Sequence, residues 1–351
     1  MDSSFFRLYT CCLLVKGAKR SMVCDVQRGS FNLIPNGLHE ILTTHGTKPI
    51  EAIKVAYQHQ YDDTINEYFS FLVENEFGFY CDEEDLALFP DIDLQWDEPA
   101  HITNAIIDVD TQSEHNYGKI FDEFEGLGCK HFQLRCYAEK PLNYFEEILA
   151  MLEKRCIISV EFIIKNSTET TLENIKTLID KYPRVHNMIV HSAYENTFAY
   201  RDPSGMGNVI FIKQNIDDTS HCGLISTDYF SINLKTFTES QKHNTCLNRK
   251  ISIDAEGNIK NCPSMTKSYG NIRDTTLKEA IEKQGFKDMW TIHKDQIEVC
   301  KDCEFRHICT DCRAYIQDPN NIYSKPAKCS YDPYTATWGA ANPTNNPLHG
   351  Q

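Results

Sequence analysis

The 351-residue sequence predicts an α/β protein in three parts. A β-rich segment opens the chain, apolar and amphipathic segments alternate from residue 101, and cysteines concentrate near the C-terminus. Strand patterns that alternate with helix patterns are typical of βαβ units and a parallel sheet. Seven of the 15 cysteines fall between residues 246 and 329, so this last part is expected to hold the chemistry.

Composition and charge restrict the class of protein. With 35 Lys+Arg against 50 Asp+Glu the formal net charge is −15, and 41% of the residues are hydrophobic. These values are typical of a globular protein with a buried core. No basic stripe is present, so we expect no nucleic-acid partner. No apolar run reaches the roughly 18 to 20 residues of a membrane span and no signal peptide opens the chain, so we expect a cytoplasmic protein without a membrane partner.

The first 50 residues predict a small β-rich unit with one helix. FRLYTCCLLV, SMVCDV and FNLI have strand patterns, and PNGLHEILTTH has a helix pattern that begins at a proline. An edge strand of such a sheet can pair with an extended peptide, so we predict a peptide-binding unit. A hairpin that only caps the rest of the chain is the alternative. Four side chains make this unit locally basic, namely Lys16, Lys19, Arg20 and Arg28.

Residues 51–100 are predicted to form an acidic, mostly helical connector. The stretch 61–110 holds fifteen acidic residues and no Lys or Arg, which is typical of a solvated surface. From 101 to 240 there are four or five strand and helix pairs, too few for a complete eight-stranded barrel. We therefore predict an open sheet or a partial barrel. Asp108 and Asp110 end its first strand, where α/β proteins place functional groups.

The cysteine-rich segment predicts a metal site. CKDCEFRHICTDC places Cys300, Cys303, Cys309 and Cys312 within thirteen residues, and in a reducing compartment such thiols bind metal more often than they form disulfides. A zinc ribbon sets its two CxxC pairs about 15 to 20 residues apart, whereas five residues separate them here. Seven thiols divide as four and three, which favours two cubane iron–sulfur clusters, with zinc or unligated thiols as the alternatives.

The order of the cysteines resembles a known domain. ISIDAEGNIKNCP predicts a hairpin that turns at Gly257 and ends at Cys262. The order of the cysteine motifs resembles the SPASM domain of radical S-adenosylmethionine peptide-modifying enzymes. The motifs are, in order, Cys246, this Gly-x4-Cys element, the Cys-x2-Cys-x5-Cys run and two further cysteines. The sequence departs from that pattern because two residues, not three, separate Cys309 from Cys312.

The resemblance implies two auxiliary [4Fe–4S] clusters. The implied ligands form a set of four and a set of three, which are Cys300, Cys303, Cys309 and Cys329, and Cys246, Cys262 and Cys312. The fourth ligand of the second cluster stays open. Cys222 is the nearest upstream thiol, Ser252 lies where some members have another cysteine, and an iron open to substrate or water is the third possibility.

The CxxxCxxC motif that binds S-adenosylmethionine in radical enzymes is absent after the first predicted barrel strand, ITNAIIDVD. We therefore expect a degenerate radical-SAM-like barrel without S-adenosylmethionine. This combination, together with segments such as LVKGAKRSMVCDVQRGSFNLIPNGLHEIL, resembles the SPASM domain peptide maturase of grasp-with-spasm systems. The resemblance implies a precursor peptide and an ATP-grasp ligase as partners. It also implies that the N-terminal unit is a winged-helix-like element that recognises the leader of the precursor.

The expected function is maturation of a ribosomally synthesised peptide, in which this chain binds and presents the precursor. A redox or atypical radical enzyme that uses the auxiliary clusters is one alternative, and a zinc-stabilised adaptor is another. The predicted divisions are a recognition unit at 1–50, a connector at 51–100, the degenerate barrel at 101–240, the SPASM domain at 241–338 and a frayed tail at 339–351.

Overall fold

A computed structural model gives the fold of residues 4–202 and 207–339. The predicted frayed tail therefore lies, from residue 340 onward, outside the described residues. None of the described helices is long and apolar enough to cross a membrane.

Two small sheets and three helices form the N-terminal unit. Its elements are β1 (Phe5–Leu8), β2 (Cys12–Lys16), β3 (Ser21–Asp25), β4 (Ser30–Ile34), α1 (Asn36–Thr44), α2 (Ile50–Ala56), α3 (Asp62–Glu74) and β5 (Gly78–Cys81). Strands β2, β3 and β4 form an antiparallel sheet, and β1 pairs with β5. The single strand predicted over FRLYTCCLLV is thus two strands, because the chain turns where the Cys12 amide donates to the Tyr9 carbonyl at 2.8 Å. The unit continues past residue 50, since Phe69 and Leu72 of α3 share its core.

The connector is less helical than the sequence predicts. After β5, a 3-10 helix covers Glu83–Leu88, and the chain from 90 to 100 has no regular structure. Prolines at both ends of this stretch disfavour helix in the residues that precede them. Arg7 holds its start, because the guanidinium donates to the Phe89 carbonyl at 3.0 Å and to Asp91 Oδ1 at 2.7 Å.

An eight-stranded, mostly parallel sheet forms the centre of the molecule. Its strands and neighbouring helices are β6 (Asn104–Val109), α4 (Tyr117–Leu127), β7 (His131–Cys136), α5 (Leu142–Ala150), β8 (Ser159–Lys165), α6 (Leu172–Lys181), β9 (Val185–His191), β10 (Thr197–Tyr200), β11 (Asn208–Phe211), α7 (Leu234–Ser240), β12 (Lys250–Ile253) and β13 (Ile259–Lys260). The order is β10-β11-β9-β8-β7-β6-β12-β13, and only the two outermost strands are antiparallel. The predicted α/β alternation is confirmed. Phe121, Phe124 and Phe162 lie in the core that the helices form with the sheet.

The predicted hairpin of the cysteine-rich part belongs to this sheet. Strands β12 and β13 pair antiparallel around Gly257, whose φ of +85° is one that glycine adopts without strain. Strand β12 also pairs in parallel with β6, so Ile251 lies opposite Ala105. The hydrogen-bonded sheet therefore continues past residue 241.

The rest of the chain is mostly irregular. Helix α8 (Leu277–Glu282) begins at Thr276, which forms a capping box with Glu279. Three short 3-10 helices follow, and a short antiparallel pair, β14 (Tyr331–Asp332) and β15 (Thr337–Trp338), ends the described chain. This irregular segment carries five of the seven predicted cysteine ligands.

Candidate metal centres

Four cysteines of the last segment lie near one another, and one of them contacts a buried ammonium group. A 3-10 helix at Cys300–Asp302 and turns at Phe305 and Pro326 carry these thiols. The Lys294 Nζ lies 3.7 Å from Cys309 Sγ, and this lysine is only 4% exposed. Neighbouring thiols influence the pKa values of Lys294, Cys303 and Cys309. The thiols in this group are Cys300, Cys303, Cys309 and Cys329. We call these four residues, which the sequence predicts as ligands of one cluster, the first centre.

A buried ion network lies behind the first centre. The Lys294 Nζ is 3.8 Å from Asp311 Oδ1, and Arg313 Nη2 is 2.7 Å from the same oxygen. Burial lowers the pKa of Lys294, but its neighbours Cys309, Cys300 and Asp311 raise it by more, so the net shift is upward. Sequence analysis missed Lys294, because nothing in the local pattern distinguishes it from a surface lysine.

The backbone before the first thiol is strained. Val299, a β-branched residue, has a φ of +67°, a conformation that such residues rarely adopt. It directly precedes Cys300, whose amide donates to the Glu298 carbonyl at 2.7 Å. The strain is therefore located where the chain turns to present the first cysteine.

The three cysteines of the second predicted set come from separate elements. Cys246 lies in the turn after α7, Cys262 follows β13, and Cys312 ends the cysteine loop. The Cys246 amide donates to Asn244 Oδ1 at 3.0 Å, and Lys250 Nζ lies 3.6 Å from Cys246 Sγ. The charge of Cys246 acts on both Cys262 and Cys312. These residues, with Lys250 beside them, form what we call the second centre.

A further thiol, that of Cys222, lies near the second centre. Cys222 contributes to the electrostatic surroundings of Lys250 and Cys262. Burial alone would lower the pKa of Lys250, but the charges of Cys246, Cys262 and Cys222 raise it. Ser252, the other sequence candidate, is fully buried and donates its hydroxyl to the Lys260 carbonyl at 3.1 Å.

Cys222 also contacts the end of the central sheet. Arg135 on β7 donates through Nη1 to Cys222 Sγ at 2.6 Å, and its Nε and Nη2 donate to Asp108 Oδ1 and Oδ2, both at 2.7 Å. Tyr137 donates to the same carboxylate at 3.0 Å. The predicted functional aspartate at the end of β6 is therefore part of a buried ion pair that reaches the second centre. Sequence analysis missed Arg135, whose charge in a strand pattern is the only signal.

Both centres have the donor chemistry that iron–sulfur clusters require. Clusters are held by Cys thiolates, and the thiols here are gathered and largely buried. Burial raises the pKa of Cys309 to about 12, with Lys294 opposing it, and burial together with Cys246 raises the pKa of Cys262 to about 12. Free thiolates are thus unfavourable at both centres unless a cation binds them. Bound iron would provide that charge, so the residues fit the clusters.

Asp110 and two histidines at or near the ends of elements have structural contacts. Asp110 Oδ1 accepts from the Gln112 amide at 2.7 Å and from the Ser113 hydroxyl at 2.9 Å, so it caps a turn. His191 is fully buried, with Nε2 3.1 Å from the Cys136 carbonyl oxygen. The ring of His243 packs against Trp96 at a centroid distance of 5.1 Å. Both histidine rings are therefore packed against neighbouring groups.

Two further groups of metal-ligating side chains occur among the described residues, namely Cys11, Cys12 and Asp25, and Asp217, Asp218 and His221. In the first, Asp25 Oδ1 already accepts from the amides of Gln27 and Arg28, each at 2.9 Å. In the second, His221 contacts Asp217 at 3.1 Å and Gln214 at 2.9 Å. Both groups are thus explained by local hydrogen bonding.

Comparison with protein families identifies the cysteine-rich part. Residues 245–304 match SPASM, an iron–sulfur cluster-binding domain. The resemblance to that domain is therefore confirmed, and the chain carries an iron–sulfur cluster-binding region at its C-terminal end. The matched residues include β12, β13 and the first two cysteines of the close run.

Comparison with solved structures gives distant similarities. The chain is similar to Streptococcus suis SuiB bound to S-adenosylmethionine, with 9% identity, a TM-score of 0.36 and coverage of 93% of this chain and 97% of that one. It is also similar to SuiB bound to the precursor peptide SuiA, with 8% identity, a TM-score of 0.39 and coverage of 93% and 98%. At these values the similarity assigns no activity. No curated protein matches the chain.

Proposed function

We propose that this chain is an iron–sulfur protein of ribosomal-peptide maturation, which binds a precursor peptide and presents it to a partner ligase of the ATP-grasp type. The main support is the contact between the β2–β4 sheet and the first centre. Phe31 of β4 packs edge-on against Phe305, with 5.7 Å between the ring centroids. Phe305 lies between Cys303 and Cys309 in the sequence. A peptide held on this sheet would therefore lie beside an iron–sulfur centre.

The turn between β2 and β3 is fastened to the cysteine loop. The Ala18 amide donates to the Asp302 carbonyl at 2.8 Å, and Arg306 Nη1 donates to the Lys16 carbonyl at 2.5 Å. Arg20 Nε lies 2.7 Å from Glu304 Oε1, whose side chain is fully buried. Of the four basic side chains predicted for this unit, Arg20 is therefore the one that docks the turn onto the cysteine loop. The turn therefore serves as a cap, and the peptide-binding surface is better sought elsewhere on the sheet.

The outer edge of β4 is the proposed peptide site. Among the described residues β4 pairs only with β3, and Leu33 on β4 is 36% exposed. Exposed edge strands bind extended peptides through main-chain hydrogen bonds, and side-chain contacts supply the specificity. A peptide that adds at β4 would extend a sheet already seated on the first centre.

Two sets of residues would hold the clusters. The first centre supplies Cys300, Cys303, Cys309 and Cys329, and the second supplies Cys246, Cys262 and Cys312. When bound, the clusters would supply one-electron redox chemistry. Lys294 and Lys250 would then place a positive charge beside each centre and favour its reduced form. These two lysines support a second candidate function, in which the centres transfer electrons during peptide modification.

Metal content tests the iron–sulfur assignment. Anaerobically purified protein should be brown and should contain roughly eight iron and eight sulfide per chain if both clusters are cubane. Cys303→Ala should remove about half of the iron, whereas Cys129→Ala, a buried cysteine outside both centres, should remove none. Colourless protein with stoichiometric zinc would overturn the iron–sulfur assignment and favour the adaptor.

Peptide binding tests the presentation role. Fluorescein-labelled peptides encoded by short reading frames beside the gene should bind the full-length protein. Leu33→Asp should weaken binding by about tenfold or more, because a charge on an edge strand blocks strand addition. Met151→Asp, at an exposed position after α5, is the matched control. Absence of binding by the unaltered protein would overturn the proposal, and unchanged binding by the Leu33 variant would exclude the β4 edge.

A further inference from the structure

We infer that Cys222 is the fourth thiolate ligand of the second centre, with Cys246, Cys262 and Cys312. The inference rests on the proposed function, which assigns an iron–sulfur cluster to this centre. Cys222 lies before the region that matches the SPASM domain and 24 residues before Cys246 in the sequence. It follows that a loop outside the matched domain completes the metal site.

The loop that carries Cys222 is fixed to the cysteine-rich part by three donors. Tyr315 Oη donates to the Thr219 carbonyl at 3.0 Å, and Ser264 Oγ donates to the same carbonyl at 3.2 Å. Lys328 Nζ donates to the carbonyl of Cys222 itself at 2.6 Å. Ser264 lies two residues after Cys262, Tyr315 three residues after Cys312, and Lys328 directly before Cys329. The loop is therefore positioned by neighbours of the ligands.

The next residue brings the loop backbone into contact with Cys312. A Cβ atom at Gly223 would lie only 2.8 Å from Cys312 Sγ, which is closer than real Cβ contacts. Gly223 also has a φ of +83°, a backbone conformation that residues other than glycine rarely adopt. A glycine is thus required at this point. It allows the backbone to approach the thiol and leaves the preceding residue, Cys222, beside the centre.

The Cys222 thiol lies between the sheet and the other three cysteines. On one side it accepts from Arg135 Nη1 at 2.6 Å, and on the other its charge acts on Lys250 and Cys262. Lys250 in turn lies 3.6 Å from Cys246 Sγ. The charges of three of the four thiols therefore act on this one ammonium group, while Gly223 brings the loop against the remaining thiol, Cys312.

Four thiolates would satisfy all four irons of a cubane, so no iron would be open to substrate. The alternative ligand Ser252 has its hydroxyl committed to the Lys260 carbonyl. Hydrogen bonds to ligand sulfur raise the reduction potential of a cluster, and Arg135 would supply one. Since Arg135 is paired with Asp108 at the end of β6, the second centre would be connected directly to the buried end of the central sheet.

The test uses the reconstituted full-length chain and four variants: Cys222→Ala, Cys222→Ser, Cys312→Ala and Cys136→Ala. The control residue Cys136 is buried next to Arg135 and belongs to neither centre. Iron and sulfide are counted, and electron paramagnetic resonance spectra of the reduced proteins are recorded with and without ¹³C-cyanide, which binds an open iron. Circular dichroism checks the fold of each variant.

If Cys222 is a ligand, Cys222→Ala should behave like Cys312→Ala. Each should either lose about half of the iron or keep it and show a ¹³C coupling, while the signal of the first centre stays. Cys136→Ala and the unaltered protein should keep their iron and show no coupling.

Two results would overturn the inference. They are a ¹³C coupling in the unaltered protein, and unchanged iron and spectra in both Cys222 variants. Both results leave the proposed function standing. An unaltered protein that takes up no clusters would overturn both proposals, so the two failures are distinguishable.

Discussion

Arg135 and Asp108 show how one buried charge depends on another. They lie directly opposite each other on β7 and β6, with exposures of 3% and 1%. Removing one partner of such a pair leaves an uncompensated buried charge and costs about 3–5 kcal/mol. We therefore expect Arg135→Leu to lower the melting temperature by roughly 10 °C.

The double variant is the control for this prediction. Asp108→Leu added to Arg135→Leu removes both charges, and apolar replacement of a whole buried pair is often neutral. The double variant should therefore recover most of the lost stability in differential scanning fluorimetry. Equal melting temperatures of the two variants would show that the carboxylate is not the cause of the loss.

Lys294 is expected to set the reduction potential of the first centre. Its buried ammonium lies 3.7 Å from Cys309 Sγ, so its charge is poorly screened. A nearby cation stabilises the reduced, more negative form of a cluster. Lys294→Met should therefore make the potential more negative by tens of millivolts or more, as measured by redox titration. Lys301→Met, an exposed lysine of the same loop, should change it little, and equal shifts would contradict this account.

The sequence reveals the candidate ligands more readily than their surroundings. Cys300, Cys303 and Cys309 are recognisable because their spacing is local. Lys294 and Arg135 are not, because what makes them important is contact with thiols from other elements. Cys222 was a candidate only by proximity in the sequence, and its contact with Arg135 required the folded sheet.

The turn between β2 and β3 is the element on which the docking of the N-terminal unit depends. A Cβ at Gly17 would lie 2.5 Å from the Arg20 carbonyl oxygen and 2.9 Å from the Glu304 amide, both of them backbone atoms. Gly17→Ala should therefore push the turn away from the cysteine loop and cost about 1–3 kcal/mol, the usual range for overpacking. Thermal melting and limited proteolysis of the full-length chain would measure the loss.

Gly126→Ala is the control, and its expected effect on stability is opposite to that of Gly17→Ala. Gly126 lies inside α4, and a Cβ there would meet no atom within 4 Å. Gly126→Ala should stabilise the protein by about 0.5–1 kcal/mol, because alanine restricts the unfolded chain. Destabilisation by both substitutions to the same extent would mean that the Gly17 effect is not specific to docking.

Secondary structure was predictable where one pattern dominates. Strands β6 to β9 and the helices between them follow from clear periodicities, and the β12–β13 hairpin follows from its turn residues. The pairing of β12 with β6 was not predictable, because it joins residues about 146 positions apart and a hairpin is complete without it. The break between β1 and β2 was missed because Tyr9 and Thr10 continue the apolar and aromatic pattern.

At the scale of the whole molecule, the three parts share their interiors. One buried cluster combines Met22 of β3, Phe237 of α7 and Phe305 of the cysteine loop. The core of the central sheet contains Ile251 and Trp290 from the C-terminal part. The metal-binding segment therefore contributes to the core of the sheet, and the N-terminal unit covers the first centre.

This arrangement leads to a prediction about S-adenosylmethionine. Reductive cleavage of that cofactor needs a cluster iron with a vacant position, and the loop after β6 supplies no cysteines for such a cluster. The end of β6 instead holds the Asp108–Arg135 pair. Reconstituted and reduced protein should therefore form no 5′-deoxyadenosine above background, with or without peptide, when the reaction is followed by liquid chromatography and mass spectrometry.

An open iron at the second centre is the condition under which this prediction would fail. If Cys222 did not bind, the iron left open there could chelate the cofactor. In that case 5′-deoxyadenosine would form, and Cys312→Ala would abolish it while Cys329→Ala would not. That result would make the chain an enzyme rather than a presenting protein. A radical enzyme that retains its three-cysteine motif, assayed under the same conditions, shows whether the reductant and the cofactor are active.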